Sequence, residues 1–115
     1  MASGRLGAEK PAATTYTTLY KPTDAIAHCS IMFCNQNDVS DTMRIAIVQS
    51  GSTDPTPASE EFIAFNADVK AAGDEAFGDH GMVGPIELNS VNNDQIVVYS
   101  SGGNISFVCV GKESV

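Results

Sequence analysis

A chain of 115 residues, 43% of them hydrophobic, is long enough for one domain with its own core and too short for two of ordinary size. Fourteen acids against 6 bases give a net charge of −8. That balance argues against nucleic acid or an anionic membrane as partner, because both call for clustered Lys and Arg. Only 17% of residues are charged, so Ser, Thr, Asn, Gln and Gly carry most of the polar surface, a mix suited to strands and tight turns.

Residues 1–13 hold Gly4, Gly7, Pro11 and several alanines without a period. They are expected to be a flexible docking arm that orders on a partner, or else a disordered tail. No apolar run follows Met1, so no export signal is expected, and no run reaches transmembrane length. Residues 14–115 are expected to form the folded domain. Thr14 to Tyr20 favours a strand and ends in turn residues Lys21 to Asp24. Tyr16 and Tyr20 lie four apart, which on a regular strand puts both rings on one face, as core or as a subunit contact. Ala25 to Cys34 alternates, with Ala27, Cys29, Ile31 and Phe33 facing a core and His28, Ser30 and Met32 on a semi-polar side. Asn35 to Asp38 reads as a turn. Thr42 to Gln49 is a strand with Met43, Ile45 and Ile47 on one face.

Ser50 to Ser59 reads as an exposed loop. Glu60 to Ala67 is expected to be extended, with a helix starting near Ala58 as the alternative. Asp68 to Gly81 is expected to hold a short strand and a long loop. Met82 to Leu88 is a strand in which Pro85 marks an edge or a bulge. Asn89 to Asp94 is a turn, Gln95 to Ser100 a strand, and Ser101-Gly102-Gly103-Asn104 a hairpin tip. Ile105 to Gly111 closes the domain, with Ile105, Phe107 and Cys109 on one face and Ser106, Val108 and Val110 on the other. The expected fold is all-β: an antiparallel β-sandwich, jelly-roll or Ig-like, of seven or eight short strands behind a flexible N-terminal arm.

The chemistry-bearing residues are sparse. Three cysteines make no disulfide framework. Cys29 and Cys34 face opposite sides of one strand, and Cys109 could lie near either. Free thiols folded in a reducing cytoplasm are expected. Asp79-His80 could orient an imidazole for base work, but no nucleophile motif accompanies it, so no enzyme is expected. Asn35, Asn37, Asp38 and Asp41 resemble an acidic loop but lack a closing Glu, and the cysteine spacings do not suit zinc. No cofactor or metal is expected. No tryptophan is present, which weakens a glycan-stacking surface.

Several segments carry a resemblance. They are Arg5-Leu6-Gly7-Ala8, the block Ala12 to Tyr20, Phe33-Cys34-Asn35, Met43-Arg44-Ile45-Ala46, Asp94 to Tyr99 and Asn104 to Gly111. Together they resemble small structural proteins of tailed-phage particles. In similar proteins a Pro-x-Gly-Lys turn follows the first strand, whereas this chain has Lys21-Pro22-Thr23-Asp24-Ala25. The resemblance implies a non-enzymatic virion component made in the host cytoplasm. The preferred reading is a capsid decoration (cement) protein that binds the assembled shell as a homo-oligomer, a dimer or trimer. The alternative is a neck, tail or baseplate adaptor or fibre module contacting a host receptor or glycan, through loops 51–59 and 68–81. Expected partners are further copies of the chain and the major capsid protein or other virion proteins. Arg5 and Leu6 in the arm, with Tyr16 and Tyr20 in the first strand, are the expected partner-binding residues. Deleting residues 2–13 is expected to leave the domain folded and abolish particle binding.

Overall fold

The computed structural model describes residues 2–49, 55–73 and 78–114. Within them are eight strands: β1 (Ser3–Glu9), β2 (Thr17–Tyr20), β3 (Ile26–Asn35), β4 (Asp41–Val48), β5 (Phe62–Val69), β6 (His80–Asn89), β7 (Gln95–Ser100) and β8 (Ile105–Ser114). One sheet has the order β1-β8-β3-β6 and the other β2-β7-β4-β5. Every pairing is antiparallel, and the first four strands pair in reverse order with the last four: β1 with β8, β2 with β7, β3 with β6, β4 with β5. The chain is therefore one long antiparallel ribbon, folded at β4–β5 and rolled so that successive strand pairs alternate between two sheets. That connectivity is a jelly roll, which decides between the two sandwich types left open by the sequence.

Period-two alternation builds the core. Ala27, Cys29 and Ile31 of β3, Met43 and Ile45 of β4, Ile96 and Val98 of β7, and Ile105, Phe107 and Cys109 of β8 are buried in one cluster between the sheets. Each large apolar side chain placed there contributes about 1.5–3 kcal/mol of transfer free energy. Phe33 and Ile47, expected on the same faces, sit half-buried at its margin.

The N-terminal stretch departs from expectation. Residues 3–9 are not a loose arm but an edge strand, registered on β8 from Ser3↔Lys112 to Glu9↔Phe107. Leu6 packs against the core. The ladder that holds β1 is the free edge of β8 from Phe107 to Lys112, a strand the sequence pattern places almost entirely but cannot pair with its partner. Gly7 lets β1 cross close to β2, because a Cβ there would run into the Leu19 carbonyl oxygen.

Three local expectations also change. Ser101 to Asn104 is not a hairpin tip, since β7 and β8 lie in different sheets and the segment is a corner between them. Tyr16 and Tyr20 do not share a face. Tyr16 precedes β2, and a register shift between Thr18 and Tyr20 turns Tyr20 toward the core. The segment starting at Glu60 is part helix, part strand: Ser59–Glu61 makes a single 3-10 turn before β5.

Pro85 lies on β6, an edge strand, beside a register shift against β3, as the sequence suggested. Residues 50–54 of the expected exposed loop and 74–77 of the expected loop at 68–81 lie outside the described residues.

Candidate functional site

The β2-β7-β4-β5 sheet carries an aromatic cluster on its outer face. Outward-facing Ala46, Val48 and Val97 are buried there under Tyr16 and Phe62. Tyr99 stacks on Tyr16 with centroids 4.7 Å apart, and Phe65 meets Phe62 edge-on at 4.9 Å. Arg44 threads between them. Its guanidinium carbon is 4.3 Å from the Phe65 centroid and 4.5 Å from the Tyr99 centroid. Arg44 Nη1 donates to the Tyr16 hydroxyl at 2.7 Å and Nε donates to Asn66 Oδ1 at 2.8 Å. Asn66 adopts a left-handed backbone conformation, φ 52°, at an irregularity in β5. The guanidinium is thus fixed in one plane, and Phe65 remains 57% exposed above it.

The outer face of the other sheet has a different character. Cross-strand register lines up Met82 of β6, Met32 of β3, Val108 of β8 and Ala8 of β1 in one row. Met82 is 66% exposed and Met32 43% exposed. Toward the β8 C-terminus a second row holds Glu87, His28, Lys112 and Ser3. His28 Nε2 lies 3.5 Å from Glu87 Oε1. Toward the opposite end, Cys34 is registered between His80 and Ser106, and its thiol lies 3.1 Å from the Ser106 hydroxyl.

Each expected site residue now has a position. Arg5 is exposed and registered opposite Val110. Leu6 spends its apolar surface inside its own domain. Tyr16 belongs to the Arg44 cluster. Tyr20 donates to a Glu113 carboxylate oxygen, and Glu113 also accepts from the Ala2 amide at 3.1 Å. Burial and this bond raise the Tyr20 pKa, while the same bond and Ala2 lower that of Glu113. The pair clamps the start of β1 to the end of β8.

Asp79 and His80 do form a pair, Oδ1 to Nδ1 at 2.7 Å, and Asp79 Oδ2 accepts from the Gly73 amide. That backbone bond first, and His80 second, hold the Asp79 carboxyl below its usual range. Cys29 and Cys109 are buried neighbours on β3 and β8, and both are free thiols. Their mutual hydrogen bond and burial push Cys109 up. Of the two possible neighbours for Cys109, it is therefore Cys29. Asn35 and Asp41 are committed to their own chain: Asn35 Nδ2 donates to the Val39 and Lys70 carbonyls, and Asp41 anchors the β7–β8 corner. Among the described residues no group of three or more His, Cys, Asp or Glu could hold a metal ion. Nor is any helix among them long and apolar enough to cross a membrane.

Of the loops 51–59 and 68–81, the described residues 55–59 and 70–73 flank opposite ends of β5. Arg44, Phe65, Tyr99 and Met82 carry the two outer faces, and the sequence did not single them out. The only local signal was an arginine on an otherwise apolar side of β4 (Arg44, Ala46, Val48) and a methionine on the semi-polar side of β3.

No family model matches the chain, and no curated protein or solved structure matches it.

Proposed function

We propose that this protein is a non-enzymatic structural component of a tailed-phage particle, a head decoration (cement) protein that binds the assembled shell. The observation that carries the reading is the Phe65–Arg44–Tyr99–Tyr16 cluster. Tyr, Phe and Arg are the residues enriched at the centres of protein interfaces, where large rigid side chains bury area at low entropic cost. Here they stand on a sheet already rigid, with Arg44 pre-oriented by two hydrogen bonds. Jelly rolls recur in viral capsid and lectin domains, which agrees with the resemblance but carries no function alone.

Docking in this reading runs through the sheet face rather than through a free arm, because β1 is occupied by β8. The entropic cost of ordering an arm, about 1–2 kcal/mol per residue, is then largely met on folding rather than on binding.

Immunogold electron microscopy of intact particles, with antibody against this protein, tests the assignment. Label over the head supports a decoration protein. Label confined to the neck or tail moves the reading to an adaptor or fibre module. Unlabelled particles, with the epitope shown to be accessible, remove the virion assignment.

A further inference from the structure

The row Met82–Met32–Val108–Ala8 crosses all four strands of the β1-β8-β3-β6 sheet and is graded in size. Two long, exposed methionines occupy the β6–β3 side, and a valine and an alanine occupy the β8–β1 side. Charge is graded the same way. Glu87 lies on the β6 side, while Lys112 and Arg5 lie on β8 and β1. Within these outward-facing rows Glu87 is the single acid, although the chain has 14 acids against 6 bases.

We infer that this face pairs with the same face of a second copy of the chain, about a two-fold axis running along the strands between β3 and β8. That operation keeps each row at its own level and exchanges its two sides. Met82 then meets the small Ala8 of the second copy, and Met32 meets its Val108. Glu87 arrives beside the second copy's Lys112 and Arg5. Large meets small and acid meets base in both directions, as an isologous contact requires. A chain at −8 on average repels a second copy, whereas the outward-facing residues on this sheet set Glu87 against Lys112 and Arg5.

The size is adequate. Four strands about 4.8 Å apart, one of seven residues and three of ten, cover about 500–600 Å² per partner, near the lower end of specific interfaces once both sides are counted. Sheets stacked face to face about 10 Å apart interdigitate their side chains as this row would. The inference deepens the assembly proposed above and rests on it only for its biological setting, because the contact itself is measured in solution.

The test is the mass of the full chain by sedimentation equilibrium. At about 100 μM the wild type is expected at twice the chain mass, and Met82→Asp is expected to weaken association by at least about tenfold. Met82 is so exposed that the substitution leaves the fold intact, which circular dichroism checks. Glu87→Lys and Lys112→Glu should each weaken the dimer, and the two combined should restore it. A single-chain mass for the wild type overturns the proposal, as does a dimer indifferent to Met82→Asp or a charge swap without rescue. A monomer whose particle binding is abolished by Met82→Asp would assign the face to the shell instead. None of these masses depends on where antibody labels a particle, so the dimer and the virion assignment fail separately.

Discussion

The guanidinium of Arg44 stacks on the ring of Phe65, its central carbon 4.3 Å from the ring centroid. The contact joins β4 to the edge strand β5, and Tyr99 of β7 closes it from the other side at 4.5 Å. An exposed phenylalanine is held in place by a cation that is itself held by Tyr16 and Asn66. This is a surface cluster with the organisation of a small core.

Arg44→Lys should therefore not behave as a conservative change. A lysine keeps the charge but loses the plane and the two-pronged bonding to Tyr16 and Asn66. The expected loss is about 1–2 kcal/mol in urea unfolding, and Arg44→Ala should cost about the same or more. A double-mutant cycle of Arg44→Ala with Tyr16→Phe should show coupling of at least about 0.5 kcal/mol. Additivity would mean that the hydrogen bond contributes nothing.

Phe65→Ala separates folding from docking. The ring is 57% exposed, so its removal should change stability by less than about 1 kcal/mol. Capture of the chain by phage particles should fall by at least about tenfold, the signature of an interface anchor. Capture at the wild-type level would remove this face from the docking surface.

Asp41 makes stability depend on acid. Burial penalises its charge, but Ser100 and Ser101 hydroxyls and the Gly102, Thr42 and Asn104 amides all donate to it. The bonds outweigh burial and bring the carboxyl from 3.8 down to about 2. A depressed folded-state pKa stabilises above the unfolded value and stops doing so as pH falls through the folded one. The contribution, about 2 kcal/mol, should be intact above about pH 5 and lost between about pH 4 and 2. The Asp79 and Glu113 carboxyls shift in the same direction, so they too favour the folded state less as pH falls. Urea midpoints measured from pH 7 to 2 should show Asp41→Asn less stable at pH 7 and flatter toward acid. A parallel pH profile for the two proteins would contradict the assignment.

The three thiols should separate by exposure. Cys29 and Cys109 are 3% and 0% exposed, while Cys34 is half-buried on an outer face. A thiol-reactive dye should label one cysteine per chain under native conditions and three after unfolding. Cys34→Ser should abolish the native labelling. Rapid native labelling of a second thiol would place Cys29 or Cys109 outside the core.

Gly7→Ala tests whether β1 belongs to the domain. The new methyl would collide with the Leu19 carbonyl across the β1–β2 crossing, and backbone cannot yield as a side chain can. The expected loss is about 1–3 kcal/mol, several degrees in thermal midpoint for a domain this small. Ala8→Gly, on the exposed side, is the control. An unchanged midpoint in Gly7→Ala would mean that β1 is detached in solution, as the sequence alone suggested.

The alternation of residues 25–34, 42–49 and 105–111 was enough to assign their strands and separate their two faces, because side-chain direction along a strand is a property of neighbouring residues, whereas the unbroken apolar run within 95–100 marked a strand without its faces. Turn chemistry was equally local: the turn expected over Asn89 to Asp94 is present, and the structure adds that Asn93 takes the left-handed conformation, φ 59°. Partnership between strands is not local. Ser3 pairs with Lys112 and Thr17 with Val98, and no period in the sequence encodes such separations. For that reason the arm was read as loose when β8 completes it, and Ser101 to Asn104 was read as a hairpin when it is a corner. A single extra residue at Leu19 reversed the face of Tyr20, since one step of register exchanges the two sides of a strand. The same non-local pairing brings Tyr16, Arg44, Phe65 and Tyr99 together from four strands or their flanks. The sequence by itself determined which residues go inside, through local alternation. Only the tertiary structure decided which surfaces face outward together, because that depends on which strands meet.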